Sequence, residues 1–141
     1  MRASARKDGA LNAGWTTEYS NVCGASLSGT RIGALVCDGR YLVKDGGLSA
    51  SWVTEYDSVL DGVLSGSRIG ILLPDHSFWV KEGDLSASWV EQMQGVDRIY
   101  LSGSRIAALQ GGHCYVKEGA IDSTGWVDVW SGATECVLPT D

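Results

Sequence analysis

A segment of about 37 residues recurs along this chain of 141 residues. Its clearest copy, 44–80, reads KDGGLSASWVTEYDSVLDGVLSGSRIGILLPDHSFWV; near-copies occupy 7–43 and 81–116, and a partial copy occupies 117–141. Two sets of residues agree on this period: the tryptophans Trp15, Trp52, Trp89 and Trp126, and the arginines Arg31, Arg68 and Arg105. Self-similarity at such a period indicates a repeat architecture, in which each copy folds as one supersecondary unit. We therefore treat 1–141 as a single repeat domain.

Each copy of the repeat predicts four short β-strands. In the copy at 44–80, apolar and polar residues alternate over 52–56, 59–64, 68–72 and 78–81. Clusters of Gly, Asp, Ser and Pro separate these stretches, and the 19 glycines of the chain suit a fold with many tight turns. No segment carries the 3.6-residue apolar periodicity of an amphipathic helix. The sequence therefore predicts an all-β protein built from four-stranded antiparallel units.

A four-stranded unit of about 40 residues fits the blade of a β-propeller. In that assignment the strand at 59–64 lies innermost, 68–72 is second, 78–81 is third and the Trp-bearing 52–56 is outermost. A β-trefoil or β-prism is the alternative, because three repeats of four strands would suit a three-fold fold. The fourth tryptophan, Trp126, would be left over in such a fold, and this favours the propeller.

Counting strands along the chain leaves two without partners. An outermost strand around Trp15 has no inner strands of its own, and an innermost strand around Val137–Leu138 has no outer ones. This pattern predicts a blade shared between the two ends of the chain, which would close a ring within one chain or between subunits. Three blades and a shared one are few for a propeller, which has typically 4–8. We therefore favour a homo-oligomer over a closed monomer.

Composition excludes some classes of partner. A formal net charge of −6 argues against nucleic acid, since binding to phosphates needs a basic surface. No apolar run is long enough for a transmembrane helix, so membrane insertion is not expected. The first 14 residues lack the apolar middle region of a signal peptide. We expect a cytoplasmic protein, or a secreted one if a leader has been removed.

The four cysteines lack the spacing of a zinc site, so we predict no metal and no other cofactor. Disulfides between Cys23 and Cys37 and between Cys114 and Cys136 are possible in an exported protein. The alternative is that the cysteines are buried as small apolar residues.

The sequence contains no catalytic constellation. An enzyme seldom needs its apparatus in three or four equal copies, and no nucleotide-binding glycine loop or nucleophile elbow is present. His76 and His113 lie on separate repeats and are predicted to be turn residues that face water. We therefore predict that the protein is not an enzyme.

The repeated tryptophans follow stretches of Gly, Ser and Ala, which would leave an indole face accessible for stacking on a sugar ring. The alternative is that each indole packs one repeat onto the next. The repeated arginines present a fork of donors that suits paired hydroxyls or a carboxylate. Alternatively, they bond turn carbonyls or pair with the acidic residues Asp45, Glu82 and Glu118.

Two further positions of the repeat carry charge. Glu18 and Glu55 follow their tryptophan by three residues, and the later copies have Gln92 and Val129 at this position. A lysine in each VKDG or VKEG motif is predicted to form an exposed ion pair with its acidic neighbour, which would contribute little to stability. These lysines are Lys44, Lys81 and Lys117.

The motifs LSGTRIGAL (27–35), LSGSRIGIL (64–72) and LSGSRIAAL (101–109), with the KDG/KEG-to-Trp segments, resemble the tandem repeats of bacterial propeller-type lectins and related carbohydrate-recognition modules. The resemblance covers nearly the whole chain. It implies a propeller that binds glycans between blades through Arg, Glu and Trp, with the ring of some small members assembled from short chains.

We therefore predict a lectin-like carbohydrate-binding protein that gains strength from several similar shallow sites. The predicted ligand-binding residues are Trp15, Trp52, Trp89, Trp126, Arg31, Arg68, Arg105, Glu18 and Glu55. The alternative, from another class, is a protein-interaction or targeting module of a larger assembly, which would bind a partner protein on the flat face of the ring. A small enzyme with a pocket at the ring centre is a third hypothesis.

Overall fold

The computed structural model describes residues 3–6, 16–47 and 50–136, with side chains from Tyr19 onward. These residues form β-strands joined by turns and contain no helix, which confirms the predicted all-β class. Consistent with this, no described helix could span a membrane. The strands are β1 (Ala3–Arg6), β2 (Thr16–Ser20), β3 (Val22–Ser28), β4 (Arg31–Val36), β5 (Tyr41–Asp45), β6 (Val53–Tyr56), β7 (Asp61–Ser65), β8 (Arg68–Leu72), β9 (Phe78–Glu82), β10 (Val90–Met93), β11 (Arg98–Ser102), β12 (Arg105–Gln110), β13 (His113–Glu118) and β14 (Val127–Trp130).

Twelve of these strands form three four-stranded antiparallel sheets. We call them blade 1 (β3–β6), blade 2 (β7–β10) and blade 3 (β11–β14), and in each the strands lie in sequence order. The first strands of the blades are the inner ones, because β7 contacts β3 on one side and β11 on the other. The predicted strand order, with the Trp-bearing segment outermost, is confirmed, and the units are propeller-like blades.

The strands β1 and β2 form a separate two-stranded sheet. Ser4 lies opposite Tyr19 and Ala5 opposite Thr17, so the register skips one residue of β2. The pairing of β5 with β6 skips one residue of β6 in the same way. The sheet β1–β2 therefore has the layout of the third and outermost strands of a blade. The outermost strand predicted around Trp15 begins at Thr16; Trp15 and Val137–Leu138 lie outside the described residues.

The apolar core lies between neighbouring blades. Tyr41 and Val43 of blade 1 pack with Ile69 and Ile71 of blade 2 in one buried cluster. A second cluster joins the third strand of blade 2 to the second strand of blade 3. Each fully buried large apolar side chain contributes about 1.5–3 kcal/mol. Because both faces of a middle blade are covered, its stability depends on its two neighbours.

Glycine permits the close approach of blades 1 and 2. The ring of Tyr41 lies directly over Gly62 of β7, where an added Cβ would overlap the ring carbons. The Tyr41 hydroxyl is 3.3 Å from the hydroxyl of Ser26, and burial raises the pKa of the tyrosine. The absence of a side chain at Gly62 therefore lets the inner strand of blade 2 approach blade 1 at this junction.

Both cysteine pairs proposed from the sequence are disulfides. Cys23–Cys37 joins β3 to the turn that follows β4, and Cys114–Cys136 joins β13 to the segment after β14. In the chain-entropy account, a bridge across a loop of about 15 residues, such as the first, stabilises the fold by about 3 kcal/mol.

Candidate functional site

The repeated lysines lie beneath the repeated tryptophans at the junctions between blades. All three lysine side chains are buried, although the sequence predicts an exposed ion pair with the acidic neighbour, and that prediction is wrong. Lys81 points into the junction with the preceding blade, and its acidic neighbour Glu82 pairs with Arg68 instead. A desolvated cation over an indole is stabilising by about 2 kcal/mol. The distances from Nζ to the ring centroid are 5.4 Å for Lys44–Trp52, 5.0 Å for Lys81–Trp89 and 5.1 Å for Lys117–Trp126.

The ammonium group of Lys81 also bonds to oxygen atoms around it. It forms an ion pair with the buried carboxylate of Glu55 from blade 1 and donates to the carbonyl of Leu85 at 2.6 Å. Lys117 donates to the carbonyl of Ile121 at 2.9 Å, and its burial lowers its pKa. The loop between the third and outermost strands therefore wraps around the lysine of its own blade.

Glu55 reaches Lys81 because it is the extra residue of a β-bulge. Thr54 lies opposite Leu42 and Tyr56 lies opposite Tyr41, so Glu55 has no partner across the sheet. A bulge of this kind redirects a side chain. Burial raises the pKa of Glu55, and the hydrogen bond and charge of Lys81 act in the opposite direction.

Gln92 is the corresponding residue of blade 2. The register of β10 against β9 also skips it, and its side chain is buried. Its amide donates to the carbonyl of Ile121 in blade 3 at 2.9 Å and to that of Val90 at 3.1 Å. The glutamine thus joins two blades with neutral hydrogen bonds, where Glu55 joins two blades with an ion pair.

The first two repeated arginines also join blades. Arg31 pairs through Nε with Asp45 at 2.9 Å and donates from Nη1 to the carbonyl of Ser67 in blade 2 at 3.0 Å. Its Nη2 donates to the carbonyl of Gly83. Arg68 repeats the pattern toward blade 3, pairing with Glu82 and donating to a backbone carbonyl. The predicted pairing with turn carbonyls and acidic neighbours is therefore present at both arginines.

Arg105 of blade 3 has no such environment. It pairs with Glu118 at 3.9 Å between Nε and the carboxylate. Its side chain is 32% exposed, against 6% for Arg31 and 7% for Arg68. The difference follows from the position of blade 3, because among the described strands no further blade follows it.

The repeated tryptophans Trp52, Trp89 and Trp126 are half-buried, and the first two pack on aromatic neighbours. Trp52 meets the edge of Tyr19 at 5.5 Å between ring centroids, and Trp89 meets Tyr56 at 6.4 Å. Trp126 packs against the core between blades 2 and 3. Each indole therefore lies against a lysine and the neighbouring element.

The junction of blades 1 and 2 brings several predicted site residues together. Glu55 lies against Lys81, which lies under Trp89, and the charge of Arg31 opposes the rise in the pKa of Glu55 that burial causes. Trp52 belongs to the preceding junction, with Tyr19. Trp15 and the side chain of Glu18 lie outside the described residues. Ligand binding by these residues stays a prediction; the described ones take part in contacts between blades.

The sequence predicts the outermost strand of blade 3 at Trp126, but sequence reasoning missed the exposed apolar surface that this strand carries. Val127, Val129 and Trp130 are all exposed there, and they are large apolar residues. The signal was available in the sequence, because Val129 stands where the other copies have Glu or Gln, and Trp130 stands where the first two have Tyr. These substitutions replace a polar junction with an apolar one.

A second missed feature is an acidic surface at one end of the blades. Two kinds of loop meet there: the turn after the second strand of a blade, and the connection that leads from its outermost strand to the next blade. Hydrogen bonds join the two kinds of loop: Val59 N donates to Gly39 O at 2.9 Å, and Val96 N donates to His76 O at 2.8 Å. We call this surface the acidic loop end. Its exposed carboxylates belong to Asp38, Asp57, Asp61, Asp75, Asp97 and Glu135.

Local hydrogen bonds keep two of these carboxylates ionised. The backbone N–H of Arg40 lowers the pKa of Asp38, and the hydroxyl of Ser77 lowers that of Asp75. Both groups therefore stay negative to a lower pH than an ordinary aspartate.

The two histidines make unrelated contacts. The Nδ1 atom of His76 is 2.8 Å from the carbonyl oxygen of Val96, and that of His113 is 2.9 Å from the carboxylate of Asp128. His113 begins β13 and does not lie in the turn as predicted. Within the part of the chain that the structure describes, no cluster of His, Cys, Asp and Glu could hold a metal ion.

No protein-family model and no curated protein matches the sequence. Solved structures match the fold. A chain in the complex of S. cerevisiae Dbp5 with Nup159, Gle1, IP6 and ADP has a TM-score of 0.56 and 12% identity, over 84% of this chain and 32% of that one. The N-terminal domain of Nup159 has a TM-score of 0.57 and 16% identity, over 85% and 34%.

Prp20p from Saccharomyces cerevisiae, described for its binding to Gsp1p and histones, has a TM-score of 0.56 and 8% identity, over 74% of this chain and 35% of that one. The chain thus spans about a third of the length of the structures it matches. These neighbours are β-propeller proteins, and at such low identity the likeness concerns the fold alone. The fold of this chain is that of propeller-like blades.

Proposed function

We propose that the protein is a non-enzymatic protein-interaction module, and that its acidic loop end binds partner proteins through their basic surfaces. The observation that carries the proposal is that most repeated cations are buried, whereas the carboxylates of the acidic loop end are exposed. The lysines of the repeat and Arg31 and Arg68 are buried at the junctions, so they contribute little to the outer surface. The surface that a partner meets is therefore more acidic than the net charge of −6 indicates.

The acidic loop end suits a docking role because its loops are tied together. Its six exposed carboxylates face only two arginines on the same loops, Arg40 and Arg98, among the described residues. Backbone hydrogen bonds between loops of neighbouring blades limit the ordering that binding would require. Complementary charge would raise the rate of association with a basic partner.

Two further observations support a protein partner over a glycan. Of the described Trp and Arg side chains predicted to bind sugars, all but Arg105 are already engaged at the junctions. The structural neighbours include a chain from a complex of several proteins and a propeller described for its binding to Gsp1p and histones. This support is for the class of function, and the glycan-binding interpretation stays a prediction.

The test is to probe one labelled sample against an array of synthetic peptides and an array of glycans. The peptides would form matched basic, neutral and acidic sets of equal length. We expect binding to basic peptides that weakens with salt and is unaffected by free sugars. Binding to one glycan family, competed by the free sugar, would overturn the proposal in favour of a lectin.

Two double variants with the same change in charge distinguish binding at the acidic loop end from nonspecific electrostatic attraction. Asp57→Asn with Asp97→Asn removes two charges from the acidic loop end, and we expect about fivefold weaker peptide binding. Glu118→Gln with Asp122→Asn removes the same charge at the opposite end of the blades and should leave binding unchanged. Equal losses in the two double variants would contradict a defined surface.

A further inference from the structure

The described residues cover only the inner half of the face of blade 3 that points away from blade 2. Glu55 is 8% exposed at its junction, whereas Val129, in the matching position, is 51% exposed, and Trp130 is 68% exposed. Arg105, at the same face, is also less buried than its counterparts. The outer half of this face therefore has the residues of a blade junction without the covering blade.

The inner half of the same face is covered by the segment 133–136. Cys136 donates its backbone N–H to the hydroxyl of Tyr100 at 3.1 Å and is bridged to Cys114, and Ala133 packs against the same cluster. This segment follows β14 directly and lies against the first strand of blade 3. It takes the place that an innermost strand of a next blade would occupy.

Blade 1 shows the opposite arrangement on the face that points away from blade 2. Its outer half is covered by β1–β2, through the contact of Tyr19 with Trp52. Its inner half is open, because Leu27 is 69% exposed. The matching leucines of the other blades, Leu64 and Leu101, pack into the junction cores.

The two faces are therefore complementary: the described residues fill the inner strand place on one face and the third and outermost places on the other, which together are three of the four strand places of a blade. We propose that two copies of this chain associate head to tail, with residues 133–136 of one copy and the sheet β1–β2 of the other forming one composite blade. In this assembly Val129 and Trp130 pack against β1–β2 of the second copy. Leu27 of the second copy packs over the segment 133–136.

A ring of two copies satisfies the geometry. Each copy has three complete blades, and each contact adds one composite blade, so two copies give eight blade places. Propellers typically have 4–8 blades. Two identical head-to-tail contacts related by a two-fold axis close the ring, whereas a rotation that did not close would produce a filament. The particle should therefore have twice the chain mass of 15.0 kDa.

The experiment is sedimentation equilibrium of the whole chain over a range of concentrations. We expect the mass of two copies, and about thirtyfold weaker association for Trp130→Ser, as for the loss of a buried aromatic at an interface. Leu27→Ser, on the opposite side of the molecule, should weaken association as well. Leu60→Ser is the control, because Leu60 is exposed but lies in the connection between blades 1 and 2.

The outcomes separate the possible occupants. A single-copy mass at all concentrations, or a mass that grows beyond two copies, overturns the ring of two. Weakening by Trp130→Ser alone would indicate that two blade 3 faces pair with each other, which also overturns the head-to-tail arrangement. Circular dichroism of each variant verifies that the sheets remain folded. None of these outcomes depends on binding of basic peptides.

Discussion

At the scale of the residue, Glu55 and Gln92 show two ways of filling the same bulge position. The carboxylate is paired with a buried lysine, and the amide donates to two backbone carbonyls. Taking a charge out of water is costly unless it is paired. The raised pKa of Glu55 records that cost.

We predict that Glu55→Gln removes a pH dependence from the stability of the protein. In the unfolded chain the carboxyl ionises near its ordinary pKa of 4.5, but in the folded protein it holds its proton to a higher pH. The free energy of unfolding contributed by this group is therefore fully present below pH 4.5 and declines as the pH rises through the raised value. Urea unfolding of both proteins from pH 4 to 8 would measure the difference. A difference that grew in favour of the wild type with rising pH would contradict this account.

A second prediction compares two arginines at matching positions. Arg68→Ala should lower the free energy of unfolding by about 2–3 kcal/mol, because the buried guanidinium donates to Glu82 and to a carbonyl of blade 3. Arg105→Ala should cost less than about 1 kcal/mol in the single chain, since its ion pair is long and exposed. Urea unfolding at low protein concentration measures both. Equal effects would show that Arg68 does not join the blades.

At the scale of the element, the strands could be predicted from alternation and turn residues. The alternation predicts the second strand of the central copy at 68–72, where the structure has β8 (Arg68–Leu72). The third strand was predicted at 78–81 and extends to Glu82. The fold class and strand order follow from the repeat, because three similar copies give the same pattern three times.

The environment of the lysines could not be predicted in this way. Alternation marks two faces of a strand, and the sequence interpretation assigned the lysine face to water. In a propeller-like stack both faces of a middle blade are covered by neighbouring blades, so alternation does not distinguish core from solvent. The bulge at Glu55 adds to the error, because period-2 reasoning cannot locate an extra residue.

The close packing of Tyr41 on Gly62 leads to a prediction for a glycine in a strand. Gly62→Ala should destabilise the protein by about 1–3 kcal/mol, because the new methyl group would overlap the tyrosine ring. Gly125→Ala is the matched control, since no atom lies within 4 Å of its added Cβ. Thermal unfolding followed by circular dichroism compares them. A Gly62→Ala protein as stable as the control would show that the blades can separate at this point without cost.

At the scale of the whole molecule, the chain is a row of similar junctions. Stability in such an array is approximately the sum of the contributions of the units and of their interfaces. The three repeated lysines, Arg31 and Arg68 are buried at the junctions, and the carboxylates of the acidic loop end and the apolar residues of β14 remain outside. The side chains that repeat between copies therefore join the blades. The side chains that differ between copies are the ones exposed to partners.

The most direct test of whether the repeated cations join the blades is the free energy of unfolding of Lys81→Met, measured in urea against the wild type. Methionine keeps much of the apolar stem but leaves the buried carboxylate of Glu55 without its partner. We predict a loss of about 3 kcal/mol, as for the removal of one member of a buried ion pair. A change within about 0.5 kcal/mol, which is typical of an exposed surface residue, would contradict the conclusion that the repeated cations join the blades.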